Sequence, residues 1–220
     1  MEIFSKEYFK LIGEKIFYLG NPEFIISNLQ KAVYHMMQNK GPETNEEVFW
    51  NKFLSLTNVK RGKVRAFFEE FYKKDFPKLK YLTRPHPYAR KVIELAFNLG
   101  LKVVIATNAV FPINAIKERL SWAGIEDFPY YLITSMEIMH FCKPHLGYYE
   151  EILDIVKEEP ENCLMLGNDA QEDISAKKLL INTYLVSDGL VINESKDSPI
   201  PDFKAPLKEL LNILPSLSKR

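Results

Sequence analysis

The chain has only two cysteines in 220 residues, Cys142 and Cys163. Each lies beside apolar neighbours at a strand or strand edge. Their spacing suggests no disulfide framework, which fits a reducing, cytoplasmic setting. Net charge is also lacking, because 29 basic residues balance 29 acidic ones. Nothing in that balance calls for nucleic acid or an anionic membrane surface as a partner. The densest basic stretch, KRGKVR from Lys60 to Arg65, reads as a solvated helix start. No apolar run approaches the ~20 residues needed to span a bilayer. The charged, amphipathic opening MEIFSKEYFK does not read as a signal peptide. Internal repeats and low-complexity tracts are absent as well. What is present is a chain that is 46% hydrophobic and so able to bury a core. Its length suits one α/β domain, or a core with a small insert.

The hydrophobic period divides the chain in two. Phe4, Tyr8, Ile12, Ile16 and Leu19 form one helical stripe. Asn21 then caps a second helix with Pro22 in its first turn, burying Ile25, Leu29, Val33 and Met36. TNEE at Thr44 to Glu47 is a capping-box pattern ahead of Val48, Phe49 and Phe53. Val64, Phe67, Phe68 and Phe71 give a fourth stripe, so residues 1–82 read as a small helical bundle. After Pro85 the pattern changes. A helix from about Pro87 to Gly100 leads into the apolar strand LKVVIAT, of the kind buried on both faces. Helices from about Pro112, Gly147 and Gln171 then alternate with strands YYLIT, CLML and TYLV. Such alternation predicts an α/β fold, with a parallel sheet between helical layers, over residues 83–220. The closing stretch DSPIPDFKAPLKELLNIL reads as a proline-bearing loop and an amphipathic helix.

In a parallel sheet of this kind, ligands sit beyond the carboxyl ends of the strands. Those ends carry a distinctive set. VVIATN finishes on Thr107 and Asn108, HFCKPH supplies Lys143, and CLMLGND finishes on Asn168 and Asp169, with Asp173 four residues on. A hydroxyl and an ammonium can hold phosphate, and carboxylates can hold Mg²⁺, which prefers oxygen ligands. Together they suit phosphoryl transfer, in which positioning and charge neutralisation dominate. His140, Cys142 and His145 also fall close together, but without a fourth ligand they do not make a zinc site.

The run IATN … KPHLGYYEEIL … LMLGNDAQEDISAKKLLINTYLV resembles the haloacid dehalogenase-like hydrolase superfamily. Thr107 matches its second motif, Lys143 its third, and Asp169 with Asp173 its acidic fourth. The resemblance implies a three-layer Rossmann-like core with a helical cap domain, and Mg²⁺-dependent hydrolysis of a small phosphate ester through a phospho-aspartate. It also implies roles for single residues. Thr107, Asn108 and Lys143 would bind phosphate. Asp169, with Asn168 as a weaker ligand, would bind Mg²⁺, and Asp173 would support the metal site or orient Lys143.

One part of that pattern is missing. The family's nucleophile lies in a D-x-D-x-[TV] motif after the first strand, and no D-x-D occurs among the eight aspartates here. The corresponding strand, central in the resembling fold, is absent too. Its three or four apolar side chains would contribute about 5–12 kcal/mol, as much as a whole domain's stability. The leading expectation is that Met1 is an internal methionine and that the chain as given is inactive. The others are a relative that has lost catalysis and become a binding or interaction protein, and a strand supplied by another chain. An open slot in the sheet also predicts self-association through exposed edges. Within the chain, LVIN (Leu190 to Asn193) is the last segment that could fill it.

Overall fold

The computed structural model describes residues 2–191 and 199–217, grouped in two compact units. The first unit comprises 1–85, 109–127 and 135–140, and the second 86–108, 128–134 and 141–220. The expected division into a helical cap, 1–82, and an α/β core, 83–220, stays a proposal, and its boundary follows a different line from that of these units.

In the first unit, α1 (Glu2–Ile16), α2 (Pro22–Met37), α3 (Asn45–Thr57) and α4 (Arg61–Lys74) pack around aromatic side chains. Asn21 caps α2 by accepting the Phe24 amide at 3.0 Å. At α3 the capping box is complete: Thr44 Oγ1 accepts the Glu47 amide, and Glu47 Oε2 accepts the Thr44 amide at 2.8 Å. A 3₁₀ stretch at Phe76–Leu82 follows α4. Phe53, Phe71 and Phe76 are wholly buried, each worth roughly 1.5–3 kcal/mol of apolar burial. Beyond α5 (Ala89–Asn98), which lies in the second unit, α6 (Ile113–Ala123) joins this aromatic core through Ala115 and Trp122. The Trp122 ring stacks on Phe76 at 5.1 Å between centroids.

The second unit is α/β, and all its strand pairs are parallel. β1 (Val104–Ile105) pairs with β2 (Leu132–Ile133). After α7 (Leu146–Val156), β3 (Leu164–Gly167) pairs with β4 (Asn182–Val186), and β4 pairs with β5 (Phe203–Ala205). Val92 and Ala96 of α5, with Leu210 and Leu214 of α8 (Leu210–Leu217), cover one face of this ladder over Leu164, Leu166 and Tyr184. β5 escaped the sequence reading. It is three residues long and bounded by Pro201 and Pro206, so it reads as loop, and edge strands are where such prolines are tolerated.

Two expectations are corrected. The helix expected from Gln171 is a turn followed by a 3₁₀ stretch, Ile174–Leu179, ended by Leu180 at φ +67°. Ser175 Oγ donates to the Glu172 carbonyl at 2.7 Å, a local bond that competes with an α-helical ladder. The second concerns LKVVIAT, the strand expected to be buried on both faces. β1, β2 and β3 are half-exposed along their length, because the strands form two separate ladders. The Val103 and Ile105 carbonyls accept the Tyr131 and Thr134 amides across to β2. Alternation then turns the backbone groups of Val104 and Ala106 to the opposite side. Among the described residues no strand pairs with β1 on that side.

β3 is also open on the side away from β4, except at its carboxyl end. There Val191 makes an isolated parallel bridge to Asp169 and donates its amide to Asn168 O at 2.8 Å. The Cys163 carbonyl accepts the Asn182 amide and so faces β4. Five residues on, Asn168 is turned the other way. Val191 therefore sits at the mouth of the slot. Of LVIN, Ile192 and Asn193 lie outside the described residues.

Candidate functional site

The expected site residues meet at the carboxyl ends of β1 and β3. Lys143 is the hub, its side chain only 4% exposed. Its Nζ donates to the Ala106 carbonyl at 2.7 Å and to Asp173 Oδ1 at 2.6 Å. The other oxygen of Asp173 accepts the Asp169 amide at 3.0 Å. Three hydrogen bonds in series thus run from the end of β1 to the end of β3. Gly167 makes room for this: a Cβ there would lie 1.9 Å from Asp173 Oδ2. Asp173, for which two roles were open, has both oxygens engaged, Oδ1 by Lys143 and Oδ2 by the Asp169 amide.

Asp169 shapes the loop. Its Oδ1 accepts the amides of Gln171 and Glu172, both at 2.8 Å, as a capping carboxylate does. Asn168 turns its amide outward, Nδ2 donating to Gly189 O at 2.7 Å. Among the described residues no group of three or more His, Cys, Asp or Glu is placed to hold a metal ion. Asp169 keeps one oxygen clear of these bonds. That suits a Mg²⁺ ion held chiefly by water and a phosphate, and does not suit an all-protein cage.

Thr107 is half-buried and already partnered. Its amide donates to Thr134 Oγ1 at 2.9 Å, and its hydroxyl donates to Thr134 O at a long 3.3 Å. An incoming anion would have to displace that second, weak bond. Asn108 turns aside, donating through Nδ2 to Glu172 Oε1 at 2.9 Å. Its Oδ1 is shielded from solvent with no hydrogen-bond partner among the described residues. Lys143 keeps one of its three N–H donors beyond the two bonds above.

Four residues at the site were not singled out from the sequence. Thr134 ends the strand YYLIT, so the strand-end rule points to it. Tyr148, wholly buried, donates its hydroxyl to the Thr107 carbonyl and also contacts Thr134 Oγ1 at 3.0 Å. Lys143 Nζ lies 5.6 Å from its ring centroid. Burial holds the Tyr148 phenol well above the usual range. Tyr149 OH donates to the Glu172 carbonyl at 2.6 Å. Glu172 is held above the ordinary carboxylate range, first by desolvation and then by the nearby Asp169 charge. Neither tyrosine carries a sequence signal beyond helical packing. His145 caps α7, Nδ1 accepting the Gly147 amide at 3.1 Å, with its ring stacked on Phe141.

Known proteins share the family and the fold of this chain. A family model described as haloacid dehalogenase-like hydrolase matches residues 7–179. A curated relative, haloacid dehalogenase-like hydrolase domain-containing protein 3 of Xenopus laevis, is 27% identical over 101 residues, which is 46% of this chain and 40% of the relative. The match therefore spans less than half the length of that protein. Among solved structures, a HAD phosphatase from Thermococcus onnurineus superposes with a TM-score of 0.59 at 16% identity, covering 97% of this chain and 91% of its own. The L-2-haloacid dehalogenase of Xanthobacter autotrophicus gives a TM-score of 0.54 at 16% identity, over 94% and 92% of the two chains. These distant structures share the fold. With the family model matching well over half of its residues, the chain belongs to the haloacid dehalogenase-like hydrolases.

Proposed function

We propose that the site is the phosphate-holding part of a Mg²⁺-dependent phosphohydrolase acting on a small phosphate ester, and that the chain as given does not turn over. One observation carries the reading: a buried ammonium, Lys143, is fixed between Ala106 O and Asp173 beside Thr107, at the carboxyl ends of β1 and β3. Lys143 and the Thr107 hydroxyl would bind the phosphoryl oxygens, and Asp173 would hold the ammonium in place. Asp169, with Asn168 as a weaker ligand, would take Mg²⁺ together with the bound phosphate. The ion would supply charge neutralisation on the phosphoryl group.

What the sequence lacks is the attacking carboxylate, since no D-x-D is present. Loss of a covalent catalyst costs on the order of 10⁴–10⁶ in rate. The test is hydrolysis of p-nitrophenyl phosphate with Mg²⁺. Turnover at an enzyme's ordinary rate, abolished by Asp169→Ala, would mean that another residue serves as nucleophile. A second reading, a non-catalytic binding protein on the same scaffold, is favoured by the engagement of both Asp173 oxygens and of Thr107 in internal bonds. Phosphate binding without turnover in any version of the protein that carries a D-x-D motif would favour it.

A further inference from the structure

The outer surface of α2 and α3 carries two adjoining hollows of about 630 and 430 Å³. Both are lined by His35 and Lys52, so they form one groove along the helix pair. Lys31 and Tyr34 of α2 and Leu56 of α3 line the first, and Lys40 and Val48 line the second. From Ser27 to Lys40 the groove follows 14 residues of α2 and the turn after it, about 20 Å at helical rise.

Its charge is one-sided. Among the described residues none of Lys31, Lys40 and Lys52 has an ion pair. Lys52 is half-buried and lines both hollows, its stem covered and its ammonium left to meet an anion from either side. The one carboxylate in the groove, Glu43, is engaged by Asn51 Nδ2 at 3.0 Å. Beside these charges stand apolar groups, Val48 and Leu56, and Tyr34, which is 70% exposed. In a chain with no net charge, this concentration is local and is not part of a general basic surface.

We infer that this groove is a docking surface for an acidic peptide segment with interspersed apolar side chains. Carboxylates would pair with Lys31, Lys40 and Lys52, and leucine-sized groups would cover Val48, Leu56 and the Tyr34 ring. The groove length suits about six extended residues or three to four helical turns. A nucleic acid fits less well: a single exposed aromatic ring makes no stacking platform.

The test uses the full chain and a glutamate dodecamer carrying leucine at every fourth position, followed by calorimetry and by amide chemical shifts. The expected result is saturable binding that weakens as salt is added, with shifts along α2 and α3. The Lys31→Glu/Lys52→Glu variant should lose about tenfold or more in affinity. The Lys52→Met variant, which keeps the packing of the stem, should lose part of it. The inference is overturned if the folded chain shows no saturable binding, or if both variants bind as tightly as the parent. It is also overturned if an oligothymidylate of the same length binds more tightly than the peptide.

Discussion

Lys143 Nζ and Asp173 Oδ1 lie 2.6 Å apart, with side chains 4% and 9% exposed. At that depth neither charge is tolerable alone. Lys143→Met or Asp173→Leu should each cost about 3–5 kcal/mol, because each leaves the other charge buried without its partner. The double variant should recover much of that loss. Urea unfolding of the three variants forms a double-mutant cycle, and additive losses would show that the pair is not coupled.

Gly167→Ala should act through the same pair. The added methyl would meet Asp173 near its Cβ, at 2.4 Å, where the side chain has no freedom to swing away. A loss of about 3 kcal/mol is expected, at the upper end for overpacking. It should be smaller in the Lys143→Met/Asp173→Leu background only if the clash is with the carboxylate itself. Denaturant midpoints in the two backgrounds separate these outcomes.

Phosphate should bind weakly, with a Kd near ~1 mM, about 4 kcal/mol of binding free energy. Its strongest donor has one N–H left, and the Thr107 hydroxyl must first leave Thr134. Mg²⁺ alone should give no resolved heat, and should strengthen phosphate binding when both are present. Tight Mg²⁺ binding without phosphate, by calorimetry, would contradict this.

Much of this is legible in the sequence. The helical stripes, the caps at Asn21 and Thr44, the parallel alternation and the meeting of Thr107, Lys143, Asp169 and Asp173 all follow from period and strand-end position. The partners of those residues did not. A chain gives the identity of Lys143, but its bonds to Ala106 O and Asp173 depend on how far apart two strands come to rest. Tyr148 looks like any core aromatic in a helix until its hydroxyl is seen to meet Thr107. The 3₁₀ form of 174–179 was hidden because Ala176, Leu179 and Leu180, spaced i, i+3 and i+4, satisfy a helical stripe equally well. Local bonds at Asp169 and Ser175 decide between the two helices.

Asp202 should give the fold an acid-sensitive tether. Its carboxylate accepts Lys177 Nζ at 2.6 Å, and the Thr183 amide and hydroxyl at 2.9 and 2.8 Å. The bond to Lys177, with those to Thr183, holds the carboxyl below its ordinary value of 3.8. A lowered folded pKa stabilises above the unfolded value, and that contribution is lost as pH falls through the folded one. Asp202→Asn should therefore lower Tm at pH 7 and flatten the decline between about pH 5 and pH 2. An unchanged acid limb in thermal melts would place the sensitivity elsewhere.

The open sides of β1 and β3 should drive self-association. Unpaired backbone on a strand edge recruits another strand, and a lysine on the edge discourages it. Val104→Lys should therefore reduce the mass seen by light scattering at raised concentration. If the parent chain stays monomeric throughout, the edge is covered in solution.

The two ladders of the second unit are joined by side chains, through Lys143 and through Asn108 with Glu172, and no backbone bond is seen between β1 and β3 among the described residues. Side-chain ties can release without unzipping a ladder. In deuterated solvent the amides of Tyr131 and Thr134, held across a two-residue pairing, should exchange through a small local opening. Those inside β4, flanked on both sides by β3 and β5, should wait for the opening of the whole unit. One sheet in the family's sense would then behave, on the timescale of exchange, as two pieces with separate lifetimes.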